Sequence, residues 1–437
     1  MLTEAIARRP GPVPRERNES NEFWLVAAAL LLTAVIPGLS KYQAYDASGN
    51  SPASEFLWSL MYLVAAMRLY AMRAVAVPML ARSGWLWAFL GLMFVSVLWS
   101  VDPMTTFKNS IELIGTTLVG FYIVTRFTLP QFITILALTF SAIAIMSLGF
   151  IFGAPGHGRM DWGTGAWEGI YQDKNNLGAA ASLAIISQVI LCAISQGRSR
   201  AIAFVGLALF GAILVGSNSA TAFADCAVVL AAVLAGFACR SSKFGVTARL
   251  LTIIVVAVAV IAVGFFGLTP ESAYGVLGRA PNLTGRTDFW PYLQQAVADR
   301  PLIGYGYNAF FRSAVGAGYL SDYIVQAGGW TPYHAHNSFL QISLDAGYIG
   351  LASFLILLLC AFWRGVTYFA REQSRVAAWP VAITLYLFLG SFTETYFGNY
   401  NTLEWILFVV ALLYPLRDRL SIEASKASEP STIRGRR

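Results

Sequence analysis

Residues 130–152 read PQFITILALTFSAIAIMSLGFIF and contain no charged side chain. A run of this length, folded as an α-helix, is long enough to cross roughly 30 Å of hydrocarbon. Apolar and polar residues do not alternate along it with a period of two, as they would in a barrel strand. A helix is then the form that satisfies its backbone groups in lipid. The run therefore predicts a transmembrane helix.

Eleven further apolar runs repeat this pattern along the chain. They lie at 23–39, 55–70, 84–100, 107–125, 174–195, 201–217, 219–238, 250–268, 336–362, 377–396 and 402–416. The composition agrees, because 57% of the 437 residues are apolar and 12% are charged, whereas a typical soluble domain has about 25% charged residues. We predict an all-α polytopic membrane protein with about twelve transmembrane helices and a large periplasmic loop.

These runs divide the chain into five segments. The first run lacks a clean small-residue cleavage site, so we expect it to be a retained signal anchor. The segments are a disordered cytoplasmic tail at 1–22, transmembrane helices one to nine at 23–268 with a short periplasmic loop near 153–173, a large periplasmic loop at 269–335, transmembrane helices ten to twelve at 336–416, and a second disordered cytoplasmic tail at 417–437.

The distribution of basic residues predicts which loops face the cytoplasm. With the N-terminus inside, 22 of the 30 lysines and arginines fall in cytoplasmic segments and eight fall outside, which is the bias of inner-membrane proteins. Both termini are then cytoplasmic, and both larger loops are periplasmic. We predict a multi-pass protein of a bacterial inner membrane with a periplasmic active face. The net charge of +7 reflects this topology and does not indicate nucleic-acid binding.

The three histidines His157, His334 and His336 all lie in the two outer loops or at their membrane edges. His336 begins the run 336–362, and an imidazole titrates near neutral pH, which suits a general base. A helix that starts there would carry small residues on the face of His336, and these let a neighbouring helix approach. That face is Leu340, Ser343, Gly347 and Gly350. The alternative is an interfacial histidine that caps the helix.

Cationic side chains in the outer loops are candidates for binding an anionic group. Arg286 precedes a predicted short helix at 287–299, a position where a guanidinium and backbone amides can hold a phosphate together. Arg159 and Lys174 bracket the shorter loop. The alternatives are a solvated loop arginine at 286 and a lysine at 174 that extends to the membrane interface.

A carboxylate completes the candidate site. Intramembrane carboxylates are costly and usually face the bundle interior or water, and Glu394 near the outer end of the run 377–396 could reach the same cleft. His334 and His336 could bind a metal, but their spacing beside a helix start matches no recognised zinc arrangement. The chain has no phosphate-binding loop, dinucleotide fingerprint or nucleophile elbow. We therefore expect no metal and no cofactor.

Six short motifs follow one another along the chain. They are Trp99–Pro103 (WSVDP), Gly169…Lys174-Asn175…Gly178, Ser217–Thr221 (SNSAT), Gly285-Arg286…Trp290, Pro301–Gly306 (PLIGYG) and His336-Asn337…Gly347…Gly350. Their order and spacing resemble the O-antigen ligase and Wzy-type polysaccharide polymerase superfamily over about residues 85–410, most strongly at 284–350. The first two motifs are most similar to the exopolysaccharide-production branch.

This resemblance implies a C-class glycosyltransferase that uses no nucleotide sugar. Its donor would be an oligosaccharide on undecaprenyl pyrophosphate, and its other partners would be membrane lipids and further polysaccharide assembly and export proteins. Carried over, Arg286 would bind the pyrophosphate and stabilise the leaving group, and His336 would orient or deprotonate the acceptor hydroxyl. Supporting contacts to the substrate are expected from Arg159, Lys174, Asn175, Asn337 and Glu394.

Several functions remain open at this point. A polymerase of lipid-linked repeat units in exopolysaccharide biosynthesis fits the motifs best, and an O-antigen ligase that transfers glycan to lipid A core would share its chemistry. A flippase or twelve-span transporter would explain the number of spans. However, the largest loop lies outside and late in the chain, not in the cytoplasm between two repeated halves. A non-catalytic assembly subunit is the remaining alternative.

Overall fold

The computed structural model describes residues 19–40, 52–160, 165–171, 173–238, 286–327, 329 and 331–428. Four predicted features lie outside these residues: the tail before residue 19, the helix at 250–268, the part of the large loop before Arg286 and the tail after Ser428. Within the described residues the chain is helical, and its strand pairing is limited to an isolated bridge between Arg159 and Trp167. The all-α class is confirmed.

The described residues form fifteen α-helices, numbered here in chain order. They are α1 (Glu19–Ser40), α2 (Pro52–Ala71), α3 (Arg73–Ala81), α4 (Gly84–Val95), α5 (Pro103–Arg126), α6 (Leu129–Gly153), α7 (Pro155–Gly158), α8 (Lys174–Ile194), α9 (Gly197–Ser217), α10 (Ala220–Ala238), α11 (Arg286–Asp299), α12 (Ala314–Gln326), α13 (Ser338–Arg371), α14 (Ala378–Gly390) and α15 (Leu403–Ser428). Short 3₁₀ turns lie at Ser96–Trp99, Phe310–Arg312 and Arg375–Ala377.

Five of these helices, α6, α8, α9, α10 and α13, are long and apolar enough to cross a membrane. The pair α2 and α3 gives a sixth candidate, although the two helices are bent by 102° relative to each other. Shorter apolar helices lie at Asn21–Ala34, Gly84–Trp99 and Arg375–Gly390. The chain is therefore a polytopic membrane protein, and its predicted number of twelve spans stays a prediction.

Two helices form the centre of the bundle. In α15 every residue from Trp405 to Tyr414 is buried, and α14 is buried along almost its whole length. A helix that is apolar on all sides and enclosed by others is a core helix. The outer helix α9 instead exposes large apolar side chains such as Ile202 and Val205, as expected of a surface that faces lipid.

Helices α11 and α12 form a compact unit with its own apolar cluster. The cluster comprises Phe289, Leu293, Ala296, Val297, Tyr305, Phe310, Leu320, Ala335 and Leu344. The Tyr319 hydroxyl in α12 donates a hydrogen bond to Asp299 at the end of α11, and this bond raises the pKa of Tyr319. The predicted loop helix at 287–299 is confirmed as α11. Helix α12 was not predicted, and with α11 it makes this part of the large loop an ordered unit.

The turn Pro301–Gly306 packs into a break in α13. Ala346 and Gly347 depart from helical geometry, and Gly347 has φ 63° and ψ −163°. Four main-chain hydrogen bonds join the turn to the broken helix. They are Tyr305 N–H to Leu344 O (2.7 Å), Gly306 N–H to Asp345 O (3.0 Å), Tyr348 N–H to Pro301 O (2.7 Å) and Ile349 N–H to Leu302 O (3.2 Å). The backbone groups freed by the kink are thus paired again, as buried groups require.

The WSVDP motif holds the same turn from its other side. The Trp99 indole donates to Ile303 O (2.7 Å), and Val101 N–H donates to Tyr305 O (2.9 Å). A Cβ on Gly306 would lie 2.3 Å from Ser100 Oγ, so only glycine fits there. The motif therefore fastens the turn after α11, and with it the unit of α11 and α12, to the bundle.

Two predicted boundaries near the candidate site are wrong. Helix α13 begins at Ser338, not at His336, because the Asn337 side chain caps it by accepting from Leu340 N–H. The predicted helix face from His336 to Gly350 is therefore not continuous, and the kink also interrupts it. Helix α14 ends at Gly390, so Glu394 lies in the turn after the helix and not within a span.

Helices extend into both segments that were predicted as disordered tails. Helix α1 starts at Glu19, inside the segment predicted as a tail. At the other end α15 continues to Ser428, because Glu423 forms ion pairs with Arg419 one helical turn before it and with Arg82 at the end of α3. Local charge pairing therefore extends this helix beyond its apolar part.

Replacing Gly347 by alanine should destabilise the fold. A Cβ at this position would lie 2.2 Å from the carbonyl carbon of Leu302, and the positive φ is itself unfavourable for alanine. A strained backbone of this kind costs about 1–3 kcal/mol before the clash is added. Thermal unfolding of the purified protein in detergent should show a lower Tm for Gly347→Ala. The control Gly149→Ala in α6, where a Cβ meets nothing within 4 Å, should unfold like the wild type; equal Tm values for both variants would contradict the role of the kink.

Candidate functional site

His336 and Glu394 form a pair at one end of the bundle, next to the start of α13. His336 Nδ1 lies 3.1 Å from Glu394 Oε2, and their side chains are 14% and 12% exposed. A carboxylate that accepts the Nδ1 proton orients the ring and leaves the lone pair on Nε2. The pair therefore presents a base whose direction is set by the protein.

The backbone at His336 has an unusual conformation. Its φ of 47° places it in the left-handed region, which costs a residue other than glycine roughly 1 kcal/mol or more. His334 stabilises this conformation, since its Nδ1 accepts the His336 backbone N–H at 3.0 Å and the two rings lie 3.8 Å apart. Thr395 Oγ1 lies 3.3 Å from the same Nδ1. His334 thus positions His336.

Ser338 fixes the turn that carries Glu394. Its hydroxyl donates to Glu394 O (3.2 Å) and accepts from Tyr396 N–H (2.9 Å), while its backbone N–H donates to Ser391 O (2.9 Å). The start of α13 and the turn after α14 are therefore held as one unit. Nothing in the sequence marks Ser338 among the many other serines, and the role was missed for that reason.

Helix α11 begins beside this pair. The Trp290 indole donates to Ala335 O at 2.9 Å, and the ring of Phe289 stands edge-on to that of His336 with centroids 6.5 Å apart. Arg286 is the first residue of α11, one helical turn before Trp290. The structure therefore brings the two residues predicted as catalytic, Arg286 and His336, into adjacent segments.

The shorter loop, near 153–173, leads directly into the start of α8. Asp173 caps this helix by accepting from the Asn175 and Asn176 backbone N–H groups, and Asn175 Oδ1 accepts from the Ser219 hydroxyl at 3.0 Å. A Cβ on Gly178 would lie 2.9 Å from Ser219 Cβ. The Lys-Asn and SNSAT motifs are thus two halves of one packed junction. These contacts give Asn175 a structural role, and its predicted substrate contact stays a prediction.

Two further acidic side chains lie near Glu394. The carboxylates of Asp225 on α10 and Glu404 on α15 both interact electrostatically with Glu394, and Tyr171 of the shorter loop interacts with Glu404. Lys174 is partly buried at the start of α8. The shorter loop, α10 and Glu394 therefore lie on the same side of the bundle.

Two other predicted site residues are engaged elsewhere. Arg159 Nε donates to Ile151 O (3.1 Å), and its guanidinium lies over the Phe152 ring at 5.5 Å, so its described contacts hold it to the end of α6. Asn337 uses both ends of its amide, accepting from Leu340 N–H and donating to Phe392 O. These contacts make Asn337 a cap, and its predicted substrate contact stays a prediction.

Chemically, the arrangement supplies an oriented imidazole backed by a carboxylate, at the head of a kinked helix. A base of this kind can take a proton from a hydroxyl while the carboxylate stabilises the imidazolium that results. Within the part of the chain that the structure describes, no three His, Cys, Asp or Glu side chains are grouped as metal ligands.

Comparison with known proteins gives this geometry a family context. The sequence profile of the O-antigen ligase family matches residues 203–355, from α9 into α13, a segment that includes both Arg286 and His336. The exopolysaccharide production protein ExoQ of Rhizobium meliloti is 26% identical over 291 residues, which are 64% of this chain and 64% of that protein.

Shorter matches occur to Rickettsia proteins that carry the name "Putative polysaccharide ligase". The one from Rickettsia prowazekii is 27% identical over 31% of this chain and 34% of its own length. The one from Rickettsia conorii is 32% identical over 18% of this chain and 20% of its own length. The chain thus matches less than two thirds of each of these relatives. The predicted resemblance to O-antigen ligases and to the exopolysaccharide-production branch is confirmed.

Removing the Trp290 hydrogen bond should loosen α11 from the His336 segment. Trp290→Phe keeps an aromatic ring but leaves the Ala335 carbonyl unpaired, which costs about 1–2 kcal/mol, or roughly five- to thirty-fold in the opening equilibrium. Hydrogen–deuterium exchange of the α11 amides should accelerate by that factor. Trp363→Phe, at a side chain 71% exposed on α13, should leave α11 exchange unchanged. Unaltered α11 exchange in Trp290→Phe would show that the contact does not hold the helix.

Proposed function

We propose that this membrane protein, a relative of O-antigen ligases, is a polymerase of lipid-linked oligosaccharide repeat units in exopolysaccharide biosynthesis. It would be a glycosyltransferase whose donor is a glycan on undecaprenyl pyrophosphate and whose acceptor is a sugar hydroxyl. The family profile and the ExoQ match support a function of polysaccharide ligase or polymerase type. The inner-membrane location and the periplasmic active face belong to the proposal.

The observation that carries the proposal is the His336–Glu394 pair at the start of α13. In the proposed step, the acceptor hydroxyl oxygen bonds to the anomeric carbon of the donor. The bond from that carbon to the pyrophosphate oxygen breaks, and undecaprenyl pyrophosphate leaves with the electron pair. His336 Nε2 takes the hydroxyl proton, and Glu394 stabilises the imidazolium. Glu394 acts through His336 and is a positioning residue.

Arg286 is proposed to neutralise the departing pyrophosphate. Its position at the first residue of α11 combines a guanidinium with the positive end of the helix dipole, and both favour phosphate oxygens. A fixed cation is most effective where charge develops, because it needs no reorganisation during the reaction. Lys174 at the head of α8 would support it from the shorter loop.

The architecture suits a substrate that cannot leave the membrane. A lipid-linked diphosphate presents its reacting carbon at the bilayer surface. The proposed site would lie at the corresponding end of the bundle, next to the unit of α11 and α12. Holding both glycans there converts the reaction into one between bound partners, which lowers its entropic cost. No nucleotide sugar is needed, since the lipid carrier already activates the donor.

The second candidate is an O-antigen ligase that transfers glycan to lipid A core. The family profile that matches residues 203–355 is that of O-antigen ligases, and the donor chemistry is the same. Deletion of the gene separates the two functions. Loss of secreted polymer with intact lipopolysaccharide supports the polymerase, and loss of glycan from lipopolysaccharide supports the ligase.

Substitution of the His336–Glu394 pair should abolish or weaken chain growth on purified undecaprenyl-linked repeat units. His336→Ala removes the base, so polymer formation should fall by about 10²–10⁴-fold. Glu394→Gln keeps the size but not the charge, so kcat should fall with little change in KM, and Glu394→Asp should recover part of the loss. His157→Ala, at an exposed histidine in the other outer loop, is the control and should polymerise normally. Full activity of His336→Ala would remove the residue from the mechanism.

Arg286 should be sensitive to geometry as well as charge. Arg286→Ala should lower kcat by about 10²–10³-fold, the loss usual for one oxyanion-stabilising donor. Arg286→Lys keeps the charge but loses the planar fork, so it should recover only part of the rate. The exposed Asp288 in the first turn of α11 offers a control, because Asp288→Asn changes the charge of the same helix turn by one and retains the Arg286 guanidinium. If Arg286→Ala and Asp288→Asn have equal rates, Arg286 does not bind the leaving group.

A further inference from the structure

A cavity lies at the end of the bundle opposite to His336. It has a volume of about 720 Å³ and is formed by the last turns of α13, the second half of α15 and Arg82 after α3. Helix α13 connects the two ends, because it begins at Ser338 beside His336 and is long and apolar enough to cross a membrane. Since the cavity lies at the far end of this helix, we place it at the other membrane face, which the basic residues predict to be cytoplasmic.

Four arginines and three carboxylates line this cavity. The arginines are Arg82, Arg364, Arg371 and Arg419, and the carboxylates are Glu372, Asp418 and Glu423. Arg82 and Arg419 both form ion pairs with Glu423, and they hold the pKa of the Glu423 carboxyl below its usual value. Asp418 accepts from the Tyr368 hydroxyl. Glu423 and Asp418 are therefore engaged by groups of the protein itself.

Two guanidinium groups remain available to a ligand. Arg364 is partly buried and donates to the carbonyl of Arg82 (3.0 Å), which uses one of its five N–H donors. Among the described residues, neither Arg364 nor Arg371 has a carboxylate within ion-pair distance. Guanidinium groups of this kind favour phosphate oxygens, which they can contact with two parallel N–H groups.

An apolar stripe on α13 leads to the cavity. Leu355, Leu359 and Trp363 follow one another at four-residue steps and are 39%, 67% and 71% exposed. They therefore form one outward face of a membrane-spanning helix. Tryptophan is enriched where the hydrocarbon ends and the headgroup region begins, and Trp363 itself lines the cavity. A lipid with its chains along this face would have its headgroup at the cavity mouth.

We propose that this cavity is a binding site for the phosphate headgroup of an anionic phospholipid, with Arg364 and Arg371 as the phosphate-binding residues and Trp363 beside the acyl chains. The cavity is much larger than a free phosphate ion, and the stripe provides a place for the chains that such an ion lacks. Basic cavities between transmembrane helices at the cytoplasmic surface are suited to acidic headgroups. This site is independent of the proposed glycan transfer.

Quenching of Trp363 fluorescence by brominated lipids tests the proposal on the full-length protein in mixed micelles. The Trp363 signal is the difference between the wild type and Trp363→Phe. Brominated phosphatidylglycerol should quench this signal at a mole fraction at least fivefold lower than brominated phosphatidylcholine. The double variant Arg364→Gln/Arg371→Gln should lose this preference. Arg73→Gln should retain it, because Arg73 is an exposed arginine of α3 outside the cavity.

Three results would overturn the proposal. The first is equal quenching of the wild type by the two lipids, which decides the question even if the double variant does not fold. The second is an unchanged preference in a double variant that elutes as a single species on size exclusion. The third is thermal stabilisation of the wild type, but not of the double variant, by inorganic phosphate, with no such stabilisation by phosphatidylglycerol; this would identify a site for the free anion and not for a lipid.

Discussion

The candidate site depends on the main-chain hydrogen bonds between the turn Pro301–Gly306 and the kink in α13. A transmembrane helix normally satisfies its own backbone groups, and a break in it exposes groups that lipid cannot pair. Here the turn supplies these partners. Gly347 has a positive φ and no side chain, so the backbone of the turn can approach the kink closely. The turn after α11 thus pairs with backbone groups that α13 leaves unpaired at its kink. The short stretch of α13 before the kink, which begins at Ser338 beside His336, gains its fixed position from this pairing.

Most of the motifs that carry the family resemblance have structural roles in this fold. WSVDP fastens the turn to the bundle, and the Lys-Asn and SNSAT segments pack together at the heads of α8 and α10. Their glycines lie where any side chain would clash, as Gly306 and Gly178 show. The motifs are therefore contacts of one continuous scaffold. The chemistry proposed for the protein is confined to the segments that this scaffold brings together.

Much of the fold could be predicted from the sequence, since apolar length and charge depend on local composition. The helices and the loop helix α11 follow from such local signals. The kink could not be predicted, because Ala346 and Gly347 lie in an apolar run and the partner of the break is some 40 residues earlier. For the same reason the positions of His336 and Glu394 were misjudged: both lie outside helices, His336 before the Asn337 cap and Glu394 in a turn held by Ser338. Their pairing depends on contacts between distant segments, which periodicity does not reveal.

The location of His336 outside the helix has a chemical consequence. A histidine within α13 would have a side-chain direction set by the helix, whereas the left-handed backbone before the cap turns the ring towards Glu394. Contacts from two parts of the protein hold these residues. Trp290 of α11 holds the His334–His336 segment, and Ser338 at the start of α13 holds the turn of Glu394. Contacts from both parts therefore support the pair. The orientation of the His336 ring therefore depends on several segments of the fold, and the strain at His336 is maintained by contacts that the helix alone could not provide.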